Sequence, residues 1–132
     1  VSDGYKRMEL SELLEWADIV SIHASGCDGE HIIGRDELSK MKKGAFLVNT
    51  ARGRFVDEDA LYDALSSGEI SGAALDVYSE EPYAGKLTEL PNVILTPHIS
   101  SSAKEGRAKM EMEAVYNLLD GFGIDYGERM QL

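Results

Sequence analysis

Residues 45–65, AFLVNTARGRFVDEDALYDAL, contain a strand, a polar turn and a helix in one short segment. Ala45–Asn49 is a short apolar run of the kind that forms a buried strand. Asp57 can cap a helix, and Gly68 supplies the residue at which that helix stops. The inner side of the helix is predicted from the apolar residues at helical spacing, which are Ala60, Leu61, Ala64 and Leu65. The segment therefore predicts one strand–helix unit of an alternating α/β fold.

The same alternation continues in both directions along the chain. Upstream, a first helix is predicted after Ser11 as N-cap, and a strand is predicted over Asp18–His23. Further helices are predicted over Arg35–Met41 and from about Ser102 to Asp120, and further strands over Gly72–Tyr78 and Val93–Leu95. Strands that alternate with helices and are continuously apolar predict a parallel, doubly wound (Rossmann-like) sheet covered on both faces. The apolar side of the last helix is predicted to comprise Met110, Ala114, Val115, Leu118 and Leu119.

Size, charge and composition limit the class of protein. The chain has 132 residues, of which 43% are hydrophobic, so it is one domain or a large piece of one. Its formal net charge of −11 would repel a phosphate backbone, which argues against nucleic acid as a partner. No apolar run approaches the ~20 residues that span a bilayer, so no membrane partner is predicted. The single cysteine, Cys27, fits a reducing compartment and predicts a cytoplasmic location.

Polar residues follow each of the predicted strands. His23 closes the first strand, Asn49 opens a polar turn after the second, Asp76 follows the third, and His98 follows the fourth. Glu81 lies in the loop that leaves the third strand, next to Glu80 and before a proline. Ligands of parallel sheets bind outside the carboxyl ends of the strands, so these residues are the candidates for a site.

Arginine, glutamate and histidine together suit the chemistry of a small acid. A guanidinium binds a carboxylate with two parallel donors, and an imidazole exchanges a proton near neutral pH. A carboxylate beside the imidazole orients it and stabilises its charged form. Such a group could bind a 2-oxo or 2-hydroxy acid and move a proton on or off its oxygen. A structural ion-pair network uses the same residues, and the residue types alone leave both readings open.

Four segments of the chain resemble one family in both order and spacing. They are ADIVSIHASG (17–26), MKKGAFLVNTARGRFVDEDAL (41–61), SGEISGAALDVYSEEPY (67–83) and LPNVILTPHISS (90–101). These segments resemble the sequences of the D-isomer-specific 2-hydroxyacid dehydrogenases, and the resemblance runs from about Leu10 to Leu119. They are most similar to the branch that contains D-3-phosphoglycerate dehydrogenase.

The resemblance implies a catalytic role for three residues. Arg52 matches the arginine that holds the substrate carboxylate and carbonyl, and Glu81 matches the glutamate that pairs with the histidine. His98 matches the residue that exchanges a proton with the substrate, and Pro97 is expected to stiffen the backbone before it. The resemblance also implies an NAD cofactor, with NADP as the alternative, and no metal. The implied cofactor contacts are Ala24, Thr50, Ala51, Arg52, Asp76, His98, Ile99, Ser100 and Ser101.

Two features of the family are missing from this sequence. No G-x-G-x-x-G fingerprint for the pyrophosphate occurs, and there is no separate substrate domain. The chain is therefore expected to be the second half of an NAD-binding domain, over residues 1–121, with a tail over 122–132. Alone it is expected to bind the cofactor weakly and to catalyse no turnover. An exposed sheet edge and helix face predict self-association as a homo-oligomer, such as a dimer.

Two functions of different classes follow from these observations. The first is an NAD-dependent oxidoreductase, as the complete protein, acting on a small D-2-hydroxy acid such as a relative of 3-phosphoglycerate. The second is a non-catalytic module that senses the cofactor or drives assembly, which the missing fingerprint favours. A hydrolase with a His–Glu pair is a weaker third, because no nucleophile motif such as G-x-S-x-G is present.

Overall fold

The computed structural model describes residues 6–25, 31–99, 104–125 and 127. The chain divides into two compact units, Val1–Pro97 and His98–Leu132. The first unit alternates helices and strands, and the second contains one long helix. The elements are α1 (Leu10–Trp16), β1 (Ile19–Ile22), α2 (Arg35–Lys40), β2 (Phe46–Asn49), α3 (Glu58–Ser67), β3 (Gly72–Leu75), β4 (Val93–Leu95) and α4 (Lys104–Gly121), with 3₁₀ turns at Gly53–Phe55 and Lys86–Glu89.

The four strands form one parallel sheet in the order β1-β2-β3-β4. Leu47 of β2 lies opposite Val20 of β1 and Ala73 of β3, and Ala73 lies opposite Val93 of β4. Because all strands run in one direction, their carboxyl ends meet at one edge. The predicted parallel α/β sheet is confirmed, and so is the order of its elements.

One face of the sheet carries the core of the first unit. Leu14, Leu38 and Leu61, one from each of the first three helices, join a single buried cluster with Val20 and Leu47. Leu47 is fully buried, with 0% of its surface exposed. Side chains alternate between the faces of a strand, so every second residue of each strand points to these helices.

The opposite face of the sheet is apolar and exposed. Ile19, Phe46 and Ile94 keep 65%, 48% and 67% of their surface accessible to solvent. Within the described part of the first unit, no helix covers this face. Within the first unit, α1, α2 and α3 all contribute to the buried cluster on the other face, and the predicted Rossmann-like sheet with flanking helices is confirmed.

The local signals for α3 are confirmed in detail. The Asp57 carboxylate accepts hydrogen bonds from the backbone N–H groups of Asp59 and Ala60, at 3.1 and 3.0 Å. Gly68 ends the helix in the left-handed conformation, with φ 72°. These two residues satisfy backbone groups that every helix end leaves without intrahelical partners.

The predicted start of α1 is wrong. The helix begins at Leu10, with Glu9 in the capping position and no side-chain cap, so Ser11 lies inside the helix. The Asp18–His23 and Gly72–Tyr78 strands are also shorter than predicted, since β1 and β3 each have four residues. Strand ends are set by pairing with neighbours, which the apolar pattern alone does not report.

The second unit contains α4, an 18-residue helix. Its predicted range, 102–120, is close to the observed Lys104–Gly121, and Ser102 lies outside the described residues. Tyr116 is its buried aromatic residue, at 7% exposure, whereas Met110 and Leu118 of the predicted apolar side are exposed. The use of that side as an interface stays a prediction. None of the helices within the described ranges is long and apolar enough to cross a membrane.

Candidate functional site

The carboxyl ends of β2, β3 and β4 are tied to one another by backbone hydrogen bonds. The N–H of Asp76 donates to the carbonyl of Asn49 at 3.0 Å, and the N–H of Thr96 donates to the carbonyl of Leu75 at 3.0 Å. The three strands therefore deliver their following segments to one edge of the sheet. These segments carry the residues that the sequence singled out.

Asn49 fixes the turn that follows β2. It is a buried polar residue, with 1% of its surface exposed. Its side-chain oxygen accepts from the N–H of Ala51 at 3.1 Å, and its side-chain nitrogen donates to the carbonyl of Arg52 at 2.9 Å. Both polar ends of the amide are thus used to shape the loop. We did not predict this role from the sequence, although a polar residue that ends an apolar strand is a signal for it.

Arg52 lies at the start of the 3₁₀ turn Gly53–Phe55 and is exposed. Its guanidinium donates to the carbonyl of Ala51 at 2.6 Å. A guanidinium has five N–H donors and this bond uses one of them, so donors are left for an anionic ligand. Thr50, the first residue after the strand, is also exposed, whereas Ala51 is half-buried.

Gly53 brings the loop after β2 against the loop after β3. A Cβ atom at this position would overlap the backbone of Tyr78 and Ser79. Only glycine permits such a close backbone approach. The two loops that carry Arg52 and Glu81 are therefore in direct contact near both residues.

The loop after β3 is held by two carboxylates. The Glu81 carboxylate accepts from the backbone N–H of Tyr78 at 3.1 Å, within the loop itself. The Glu58 carboxylate, from the first turn of α3, accepts from the N–H of Ser79 at 2.7 Å. Glu80 and Glu81 are both exposed. The Glu81–Pro82 peptide bond is cis.

Asp76 joins the end of β3 to the end of β4. Its carboxylate accepts a hydrogen bond from the hydroxyl of Thr96, and the residue is half-buried. A carboxylate has about four acceptor sites, so one bond to Thr96 leaves capacity for a further donor. A nicotinamide carboxamide offers such a donor. The acceptor capacity of Asp76 therefore fits a ligand that carries a carboxamide N–H.

Tyr78 connects the same two strand ends through its hydroxyl. The hydroxyl oxygen lies 2.9 Å from the carbonyl of Leu75 and 2.8 Å from that of Thr96, and its one proton is shared between these two acceptors. Its ring stacks on the ring of Tyr83, with centroids 4.5 Å apart. Burial, followed by the negative charge of Asp76, raises the pKa of Tyr78, so the hydroxyl keeps its proton. The sequence analysis did not assign a role to this residue.

A cleft of about 250 Å³ opens beside this network. Its lining is mainly apolar, and it includes residues that carry a carboxyl or a hydroxyl group. Small-molecule sites commonly combine an apolar lining with a few placed polar groups. The lining residues are Tyr78, Glu81, Pro82, Tyr83, Thr88, Leu95, Thr96 and Pro97.

His98 is the first residue of the second unit and follows Pro97 in the chain. It is exposed, and its φ of 54° places it in the left-handed region, which is uncommon for a residue other than glycine. Such outliers cluster at functional sites. Ile99 is exposed, and Ser100 and Ser101 lie outside the described residues. Ala24, after β1, is half-buried.

The other two histidines have local partners. The His23 ring is 2.9 Å from the hydroxyl of Ser21, and the His31 ring is 2.9 Å from the carbonyl of Arg54. Both are exposed. Among the residues that the structure describes, no group of three or more His, Cys, Asp or Glu side chains could hold a metal ion.

A parallel sheet whose polar residues gather at the strand ends defines an α/β protein that binds its ligand at that edge. A family model described as "D-isomer specific 2-hydroxyacid dehydrogenase, NAD binding domain" matches residues 1–100. The chain belongs to this family, and the prediction of a nicotinamide-cofactor domain is confirmed at the level of the family.

Relatives and solved structures support the same assignment. The chain is 48% identical to a glyoxylate reductase of Thermofilum pendens, over 84% of this chain and 34% of the relative. It is 37% identical to a D-3-phosphoglycerate dehydrogenase of Archaeoglobus fulgidus, over 92% of this chain and 24% of the relative. A glyoxylate reductase structure from Paecilomyes thermophila matches with a TM-score of 0.80 and 40% identity, over 98% of this chain and 39% of that one. The chain thus spans about a third of the length of the relatives it matches.

Proposed function

We propose that the complete protein is a nicotinamide-dependent oxidoreductase of small D-2-hydroxy acids, and that this chain supplies the nicotinamide side of its site. One observation carries the proposal. At one edge of the sheet, hydrogen bonds of Asn49, Asp76 and Thr96 shape and connect the ends of β2, β3 and β4. The segments that follow these strands in the sequence contain Arg52, Glu81 and His98, which match the motifs of the family. NAD is the proposed cofactor, and NADP is the alternative.

Each of the three residues has a distinct task in the proposed reaction. Arg52 binds the substrate carboxylate and carbonyl through parallel N–H donors. In the oxidising direction, the His98 imidazole takes the hydroxyl proton, and the substrate carbon becomes a carbonyl. Glu81 orients the imidazole and stabilises its charged form. Thr50, Ala51 and Asp76 would hold the nicotinamide, which would supply the hydride acceptor for oxidation and the hydride donor for reduction. In the reducing direction His98 donates the proton.

The substrate is proposed from the names of the relatives. Glyoxylate and 3-phosphoglycerate appear in those names, and glyoxylate is named for two relatives that are 48% and 47% identical to this chain. Both belong to the class of small 2-oxo and 2-hydroxy acids, which share the carboxylate that Arg52 would bind. We propose a small 2-oxo acid such as glyoxylate ahead of a phosphorylated one. The sequence motifs are most similar to the phosphoglycerate dehydrogenase branch, so this order of substrates differs from the one that they suggested.

The decisive experiment assays the complete protein against a panel of 2-oxo acids with NADH and with NADPH. His98→Ala is expected to lower kcat by roughly 10²- to 10⁴-fold, the usual contribution of a general acid or base. His31→Ala is the matched control, because it removes an exposed imidazole whose ring lies 2.9 Å from the carbonyl of Arg54. A His98→Ala variant within twofold of the wild type would show that the assigned role is wrong.

A second candidate function is a non-catalytic module for cofactor sensing or assembly. The exposed apolar face with Ile19, Phe46 and Ile94 favours this alternative, since such patches mark interaction sites. Cofactor binding by the complete protein without turnover of any acid in the panel would support it. We also propose a cytoplasmic homo-oligomer, such as a dimer, which sedimentation at several concentrations would test.

A further inference from the structure

One buried tyrosine connects the parts of the strand-end site that otherwise belong to separate segments. Tyr78 is 7% exposed and lies three residues after the end of β3. Its hydroxyl is shared between the carbonyls of Leu75 and Thr96, which lie at the ends of β3 and β4. Its backbone N–H donates to the Glu81 carboxylate. A single residue therefore touches β3, β4 and the proposed catalytic loop.

The position of Tyr78 is itself fixed from several sides. Its ring stacks on Tyr83 at an interplanar angle of 19°, and its backbone lies against Gly53. The adjoining N–H of Ser79 is bound by the Glu58 carboxylate of α3. A side chain held in this way has few alternative rotamers, so its hydroxyl transmits the position of the loop to Thr96.

The Tyr78 hydroxyl also contacts the carbonyl of Thr96. The N–H of Thr96 itself donates to the carbonyl of Leu75, and its hydroxyl donates to Asp76. From Thr96 the chain continues into Pro97, whose ring restricts the backbone, and then into His98. The Tyr78 hydroxyl therefore fixes the point from which the histidine segment departs.

We propose that Tyr78 is a positioning residue of the dehydrogenase site, which rests on the proposed function above. It sets the Glu81 carboxylate through its backbone N–H and the Thr96 carbonyl through its side chain. Neither contact involves the substrate directly. The hydroxyl acts by keeping the glutamate loop and the start of the histidine segment in one fixed geometry, which catalysis requires more strongly than ground-state binding does.

Tyr78→Phe tests the proposal in the complete protein. The substitution keeps the ring and its stacking on Tyr83 and removes only the hydroxyl. We expect kcat per folded molecule to fall about tenfold, with KM for acid and cofactor within about twofold, because misplacement affects the transition state most. The folded fraction is measured by circular dichroism, so that simple loss of folded protein is separated from loss of geometry.

Hydrogen exchange gives a second measurement that does not depend on activity. In Tyr78→Phe, amides of residues 76–81 and 93–96 are expected to exchange about fivefold faster, the effect of losing one hydrogen bond. Tyr62→Phe is the matched control: it removes a tyrosine hydroxyl from α3, where the ring lies beneath Lys86. The control is expected to leave both kcat and these amides unchanged.

The outcomes separate the two proposals. A wild-type protein without activity would overturn the proposed function, while faster exchange in Tyr78→Phe would still support the connection between the strand ends. An active wild type, with kcat unchanged in Tyr78→Phe, would overturn the positioning role. Unchanged exchange in both segments, or equal losses in Tyr62→Phe, would do so as well.

Discussion

The two faces of the sheet are built from the same four strands and have opposite surroundings. On one face, Leu47 is completely buried beneath the helices of the first unit. On the other, its chain neighbour Phe46 is 48% exposed, and Ile94 is 67% exposed. The residue types on the two faces are alike. Apolar content therefore does not tell which face forms the core; the side on which the helices pack does.

This difference separates stability from recognition. The covered face supplies the hydrophobic burial that holds the first unit together. The exposed face contributes little to that burial, yet its residues are large and apolar, which fits a surface that a neighbouring element or protein covers. Substitutions on the two faces should therefore affect different measurements.

The largest difference between the two faces is expected when one apolar side chain on each face is shortened to alanine. Leu47→Ala is expected to lower the free energy of unfolding by about 3 kcal/mol, because it leaves a cavity in a fully buried position. Ile94→Ala, at the exposed face, is expected to change it by less than about 0.5 kcal/mol. Urea denaturation followed by circular dichroism measures both. Equal losses would show that the exposed face belongs to the core.

A smaller effect is expected at the cap of the helix that covers the buried face. Asp57→Ala removes the acceptor for the N–H groups of Asp59 and Ala60. The expected loss is about 1 kcal/mol in the free energy of unfolding. Asp57→Asn keeps a capping oxygen and should retain most of the stability in the same urea titration. If Asn and Ala behave alike, the cap is not the source of the effect.

The smallest effect is expected from an ion pair on the outer side of the same helices. Arg35 and Asp63 join α2 to α3 at 2.7 Å, with both side chains largely exposed. Such pairs contribute little because water and salt screen them. Arg35→Ala should leave the urea midpoint unchanged within error, at both low and high salt. A clear, salt-dependent drop would show that charge as well as burial holds the helix layer together.

Most of the fold was predictable, because its signals are local. The apolar run at residues 45–49 predicts β2, and Asp57 and Gly68 mark the ends of α3 from the sequence. The start of α1 was harder to predict. Ser11 lies inside the helix and not at its cap, because helix ends depend on context that apolar periodicity does not contain.

The candidate site was predictable only in its residue types. The sequence placed Arg52, Asp76 and Glu81 after strands, and the structure confirms those placements. Asn49 and Tyr78 were not assigned, because their importance lies in bonds to backbone groups that are distant in sequence or formed only in the turn. The acid–base role of His98 depends on the resemblance to the family motifs and stays a prediction.

The missing side chain at Gly53 has a consequence for how this protein can vary. Since the peptide between Tyr78 and Ser79 occupies the space that a β-carbon would need, the two loops cannot diverge independently. A residue inserted into either loop would displace the other at its point of contact. Natural variants that lengthen one of these loops should therefore carry a compensating change in its neighbour, while the glycine between them stays the same.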